Sequence, residues 1–196
     1  VPPTPEAAAL GETPRQPEKI ATSRGKGDRF SEPPSGPRQP RKAGAIRSRA
    51  AHPSHFDCGE PSLNDWLRKR ALRNQASGAS RCFVVADSQK VIGYYTLSAG
   101  MIERSAAPQR MRRQTPHSLP VLLLGRLPVD RKWHNQGVGQ ALLRDALLRS
   151  LAGSAEAGVF AVLVHALSEP ARQFYLSRGF VESPLRSMTL MMTLAT

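Results

Sequence analysis

The residues with the clearest chemical potential lie between positions 130 and 141. Gly137 and Gly139 form a G-x-G step, flanked by Gln136, Val138, Gln140 and Ala141, just before an apolar run at helical spacing. Two residues without side chains let a backbone approach a ligand closely, and the first N–H groups of a helix have no acceptor inside it. With the helix dipole behind them, such donors suit a phosphate or pyrophosphate. Arg131, Lys132 and His134 add basic character in front of this loop. Taken alone, a G-x-G step also serves as a simple strand-to-helix turn. The G-x-G-x-x-G spacing of dinucleotide-binding proteins is not met. Tyr175 is a second candidate, since a phenol with a pKa near 10 keeps its proton at neutral pH and can give it to a leaving anion. Beside Phe174, the residues alone favour a tyrosine of the core. His165, a lone histidine ending an apolar run, reads as structural before it reads as a proton relay. No Asp or Glu occurs over 121–129.

These groups need a strand, a loop and a helix to hold them. Positions 121–124 are a run of bulky apolar residues suited to a strand covered on both faces. Val138, Ala141, Leu142, Leu143, Ala146, Leu147, Leu148 and Leu151 recur at helical spacing. Upstream, Ser62 is placed to cap a helix that aligns Leu63, Trp66, Leu67 and Ala71 on one face, with Arg68, Lys69, Arg70 and Arg73 on the other. Strands are expected over 81–86 and 91–98, joined as a hairpin at 87–90. A basic loop or short helix follows over 106–120. Positions 158–166 form a further buried strand. Ser168 caps a helix with Pro170 in its first turn, and Gly179 ends it. Positions 186–194 give the last strand. The order is helix, hairpin, loop, strand, helix, strand, helix, strand, which predicts a mixed α/β domain with its ligand at the mouth of one βα unit.

The chain has 196 residues, 28 Lys and Arg against 15 Asp and Glu, and a formal net charge of +13. An anionic partner follows from that balance, whether nucleic acid, coenzyme phosphates or both. Positions 1–50 hold nine of the 17 prolines and few bulky apolar residues. Such a segment cannot offset its ordering entropy, so 1–50 is expected to be a disordered basic tail and 51–196 the domain. The domain is basic by itself, so the tail does not create the argument for an anion. Cys58 and Cys82 are too few for a disulfide framework and stand in no metal-ligand spacing, so no metal is expected. No run approaches a membrane span, and no signal-peptide core precedes the domain. Both point to a cytoplasmic protein without membrane contact.

The stretch Leu127-Pro128-Val129-Asp130, its basic residues and His134-Asn135-Gln136-Gly137-Val138-Gly139-Gln140-Ala141 resembles the coenzyme A loop of the GCN5-related N-acetyltransferases (GNAT). The usual form is Gln/Arg-x-x-Gly-x-Gly/Ala, and His134 holds the first position here. Phe56-Asp57-Cys58-Gly59-Glu60, Leu63-Asn64-Asp65-Trp66-Leu67 and 71–81 narrow the match. So do Gly93-Tyr94-Tyr95, Leu124-Gly125-Arg126-Leu127, Val164-His165-Ala166-Leu167-Ser168 and Phe174-Tyr175. These resemble the GNAT toxins of bacterial type II toxin–antitoxin modules, over nearly all of 55–196.

The resemblance implies the GNAT fold and acetyl-CoA as co-substrate. It implies acetylation of the α-amino group of aminoacyl-tRNA, which inhibits translation. It further implies a homodimer, neutralised by a ribbon-helix-helix antitoxin whose repressor complex binds operator DNA. Leu127, Pro128 and Val129 would then meet the pantetheine arm and the thioester oxygen. Gln136, Gly137, Val138, Gly139, Gln140 and Ala141 would hold the pyrophosphate, with Arg131 and Lys132 for the remaining phosphate charge. Tyr175, at the family's tyrosine position, becomes the general acid. An α-amine has a reference pKa of about 7.7–8.0 against about 10.4 for lysine, so the missing carboxylate over 121–129 favours an α-amino acceptor. For tRNA the basic positions outside the loop are Lys69, Arg70, Arg73, Arg81, Arg112 and Arg113. Acetylation of a small amine or a protein N-terminus, and a non-catalytic coenzyme- or RNA-binding module, are the competing readings.

Overall fold

Pro61 decides where the first helix begins. In the computed structural model, which describes residues 44–45, 53–113 and 115–194, helix α1 spans Pro61–Lys69 with Pro61 in its opening turn and Glu60 as an extended N-cap that makes no side-chain cap bond. A missing N–H costs nothing there. The expected cap, Ser62, therefore sits inside the first turn, and its hydroxyl donates back to Glu60 at 3.0 Å. The chain breaks at Arg70 and resumes as α2, Ala71–Ser77, which stops at Gly78 in the left-handed region. The expected face holds across this break: Trp66, Leu67 and Ala71 are buried and Leu63 is half-buried.

The tail expected over 1–50 lies outside the described residues except for β1, Gly44–Ala45, which pairs antiparallel with Val84 and Phe83. Strands β2 (Arg81–Asp87) and β3 (Lys90–Glu103) form the expected hairpin, with Ser88 at φ +55° in its two-residue turn. β3 runs well past the expected 91–98, because its outer half pairs with the first half of β4, Ser118–Arg126. The segment between them carries two single-turn 3-10 helices, Arg104–Ala106 and Gln109–Met111. Helix α3 is Val138–Ala157, β5 Ala161–His165, α4 Glu169–Leu176, β6 Val181–Ser183 and β7 Arg186–Thr193. β5 begins three residues later than expected because Gly158, at φ +62°, closes α3. Ser168 caps α4 as expected, accepting from the Ala171 N–H at 3.4 Å.

The sheet order is β1-β2-β3-β4-β5-β7-β6. Only β4 and β5 pair in parallel among the described strands, with α3 as their crossover. This is the mixed α/β architecture that the element order predicts. Adjacent residues of β3 serve opposite faces. Tyr95 packs with Val138, Leu142, Leu143 and Ala146 of α3 and with Tyr175 of α4. Tyr94 packs with Trp66, Leu67 and Ala71 of the first two helices. A third cluster joins Ala107 and Met111 to Leu119, Val121, Leu163 and Met191. Each fully buried Leu contributes about 1.5–3 kcal/mol. Gly93 lets α3 lie close to the sheet: a methyl group there would stand 2.8 Å from Leu142 Cδ1 and 3.3 Å from the Pro128 carbonyl. No described helix is long and apolar enough to cross a membrane.

Candidate active site: the cleft where two strands part

β4 and β5 are in register from Val121–Ala161 to Leu124–Val164, and then they separate. Past Arg126 the chain follows β3 instead. The Tyr94 N–H donates to the Pro128 carbonyl at 3.1 Å and the Asp130 N–H to the Ile92 carbonyl at 2.9 Å. Around the isolated Gly93–Val129 bridge, alternation turns the N–H groups of Leu127 and Val129 away from β3. Neither has a partner among the described residues. Both residues are half-buried, so these donors are open to a ligand at the strand end.

The loop that follows is held by its own side chains. Asp130 is 8% exposed, and its carboxylate accepts from the Lys132 N–H and from the Asp57 N–H, each at 3.0 Å. Asp57 in turn accepts from Asn64 Nδ2 at 2.9 Å, and the Asn64 amide oxygen accepts from the Cys58 N–H at 3.0 Å. One polar chain thus ties the start of α1 to the loop. His134 Nε2 donates to the Val129 carbonyl at 2.8 Å. Asn135 and Gly137 take φ of +59° and +78°, and Gly137 is the N-cap of α3. The first intrahelical donor is Ala141, bonded to the Gly137 carbonyl at 3.0 Å. The N–H groups of Val138, Gly139 and Gln140 precede it and face outward with the positive end of the dipole.

Opposite stands α4. Tyr175 is 8% exposed, its ring edge-on to Phe174 at 5.2 Å and to Phe180 at 5.4 Å. Burial pushes its phenol up to about 12. The hydroxyl makes no hydrogen bond among the described residues. Leu127, Pro128, Val129, Gly137, Val138, Gly139, Gln140 and Tyr175 line one cavity of about 630 Å³, together with Cys58, Glu60, Leu63, Phe174 and Arg178.

A profile of the acetyltransferase (GNAT) domain matches residues 78–182, from the end of α2 into β6. The chain is also 47% identical over 137 residues to the tRNA-acetylating toxin of Mycobacterium tuberculosis, covering 70% of this chain and 82% of that protein. The chain belongs to the GNAT acetyltransferases.

A probable toxin TacT of Sinorhizobium fredii is 27% identical over 148 residues, 71% of this GNAT chain and 82% of that protein. Among solved structures, AtaT complexed with acetyl-methionyl-tRNAfMet superposes with a TM-score of 0.72 at 28% identity, over 77% of this chain and 93% of that one. A tyrosine-to-phenylalanine variant of KacT gives 0.72 at 27% identity, over 79% and 96%. AtaT has also been solved with acetyl-CoA and the C-terminus of the antitoxin AtaR.

As a GNAT acetyltransferase, this enzyme draws its acetyl group from acetyl-CoA, and the cleft fits that molecule on its own geometry. The unmet N–H groups of Leu127 and Val129 suit an amide-bearing arm, and the first turn of α3 suits phosphates. Several expected residues do not reach it. Arg131 turns to the α1 side, 3.7 Å from Asp57 Oδ2, and a methyl on Gly59 would touch its Nε at 2.8 Å. Lys132 is exposed and does not line the cavity. Gln136 closes the loop by donating to the Lys132 carbonyl at 2.8 Å, and Ala141 lies exposed on the outer side of α3. Two charged lining residues went unrecognised in the sequence. Arg178 arrives from beyond α4, and Glu60 is the one carboxylate among the lining residues. His165 stays outside, with Nδ1 2.9 Å from Thr189 Oγ1. Cys58 and Cys82 are both free, Cys58 half-buried and Cys82 buried.

The basic residues nominated for tRNA split into two groups. Lys69, Arg70, Arg73 and Arg81 are exposed around α1, α2 and the start of β2, with Lys69 paired to Asp65 at 2.7 Å. Arg112 is spent on its own loop, donating to the Ala107 and Ser105 carbonyls at 2.7 Å each, while Arg113 is exposed. Arg126, not nominated, stacks 4.2 Å above the Trp66 ring. Among the described residues no group of three or more His, Cys, Asp or Glu could hold a metal ion.

Proposed function

We propose that this enzyme transfers acetyl from acetyl-CoA to the α-amino group of aminoacyl-tRNA and so acts as a translation-blocking toxin. The observation that carries the reading is the 47% identity to a tRNA-acetylating toxin across 137 residues. The basic, exposed surface of Arg70, Arg73 and Arg81 supports it, since a tRNA needs phosphate contacts beyond its acceptor end.

Acetyl-CoA supplies the thioester carbonyl that the amine attacks and the thiolate that departs. The Val129 N–H, unmet in the cleft, donates to the carbonyl oxygen as negative charge grows there. Tyr175 holds its proton at the phenol oxygen throughout neutral pH and gives it to the departing sulfur. Burial lifts the phenol to about 12. The same dry surroundings disfavour a thiolate, so its basicity rises beside that of its donor. The α-amine is substantially neutral near pH 8 and needs no dedicated base before attack. The proton its nitrogen sheds once the C–N bond forms goes to solvent, and the Tyr175 phenolate regains its own proton from solvent.

The same reading assigns the partners. AtaT is solved with the C-terminus of its antitoxin, and KacTA with DNA. These structures support a cognate antitoxin and DNA contact through the toxin–antitoxin complex. That the antitoxin is of ribbon-helix-helix type, that the DNA is the operator and that the toxin is a homodimer is our proposal from the resemblance in sequence.

The test is acetyl transfer from radiolabelled acetyl-CoA to total aminoacylated tRNA, beside deacylated tRNA. Label on charged tRNA alone is the expected result. Label on neither RNA, with acetyl-CoA still bound, would redirect the activity to small amines or protein N-termini. Reversing Arg70, Arg73 and Arg81 together to Glu should raise KM for aminoacyl-tRNA and leave acetyl-CoA affinity unchanged.

A further inference from the structure

The basic loop before α3 does not bring its charge into the cleft; the end of α4 does. Arg178, two residues past α4, lines the cavity beside Gly137, Gly139 and Gln140. Its guanidinium is held in place. Nη1 donates to the Phe174 carbonyl at 2.8 Å and to Ser177 Oγ at 2.9 Å, and Cζ lies 3.8 Å from the centroid of the Phe174 ring. A methyl placed on Gly139 would also stand 3.8 Å from that ring. One phenyl group therefore links the first turn of α3 to the guanidinium.

The charge balance of this corner is incomplete. Arg178 forms no ion pair among the described residues, and its Nε is buried without a partner. A half-buried cation is normally paired. Here it sits instead near the positive end of a 20-residue helix, an arrangement that only an anion relieves. Guanidinium and helix N–H groups share a preference for phosphate oxygens. We infer that Arg178 binds a phosphate group of the coenzyme, taking the role that position in the sequence suggested for Arg131 and Lys132. The inference rests on reading the cleft as the acetyl-CoA site. Arg178 also borders an adjoining groove with Gln140 and Arg144, so both the pyrophosphate and the ribose 3′-phosphate are chemically suited to it.

Calorimetric titration of CoA, dephospho-CoA and pantetheine into the full chain, Arg178→Met and Arg178→Lys tests this without turnover. Methionine keeps an apolar stem on Phe174 and removes the charge. The expected result is a roughly 10- to 100-fold weaker affinity for CoA in Arg178→Met, the range of a lost charge-assisted hydrogen bond. Arg178→Lys should recover part of it, and pantetheine should bind all three proteins alike. A loss that persists with dephospho-CoA assigns the pyrophosphate, and one that vanishes assigns the 3′-phosphate. CoA affinity within twofold of the unsubstituted chain, or an equal loss for pantetheine, would overturn the role of Arg178 alone. Absence of CoA binding by the unsubstituted chain would overturn the cleft assignment as well.

Discussion

Replacing Tyr175 by Phe isolates one oxygen atom. The ring is gripped edge-on by Phe174 and Phe180 at 5.2 and 5.4 Å, and both contacts survive the change. The hydroxyl has no hydrogen-bond partner among the described residues, so unfolding free energy should move by less than about 1 kcal/mol. Acetyl-CoA affinity should not move either. If the phenol is the acid, kcat should fall by about 10²–10⁴-fold, the usual share of general acid catalysis. That corresponds to about 2.7–5.4 kcal/mol of barrier. Single-turnover transfer to aminoacyl-tRNA with saturating acetyl-CoA reads this step directly. The pH profile adds a second constraint, because burial lifts the phenol to about 12. An acid must be protonated to act, so it remains competent at every pH below that value. The rate should rise through the amine pKa of about 7.7–8.0 and then stay level to about pH 10. The Phe variant should keep the rising limb at a lower plateau. A fall smaller than about tenfold, a parallel loss of acetyl-CoA binding, or a descending limb between pH 8 and 10 would refute the assignment.

The remaining expectations follow from single contacts. Asp130→Ala strands the Lys132 and Asp57 N–H groups, each bonded at 3.0 Å to a carboxylate 8% exposed; urea unfolding should show a loss of about 2–4 kcal/mol, and KM for acetyl-CoA should rise. Gly93→Ala puts a methyl 2.8 Å from Leu142 Cδ1 and 3.3 Å from the Pro128 carbonyl, so thermal unfolding should report a destabilisation of about 1–3 kcal/mol. Glu60→Gln should change kcat by less than about threefold if the amine needs no base; a loss approaching the 10²-fold of a true general base would place the carboxylate in the mechanism.

How far this site could be read from the sequence depends on whether its chemistry is local. Gly137 and Gly139 announce themselves because a left-handed N-cap and unmet helix donors belong to a few consecutive residues, and α3 begins at Val138 as that pattern requires. The strand before them is legible as an apolar run, but its parting from β5 is not. That follows from Asp130 and Val129 pairing with β3, whose residues lie nearly 40 positions earlier. The proposed phosphate cation is hidden from the sequence for the same reason. Arg131 and Lys132 adjoin the loop in sequence, yet the 3-10 turn over Arg131–Trp133 delivers Arg131 to Asp57, while Arg178 reaches the loop by way of α4. β6 has three residues, too few for any period to mark it. Tyr175 shows the limit most clearly. A tyrosine beside Phe174 reads as core, and its ring is indeed buried. On the proposed mechanism core and catalyst are not alternatives, because the burial that makes it a packing residue also holds its proton in place until an anion forms next to it.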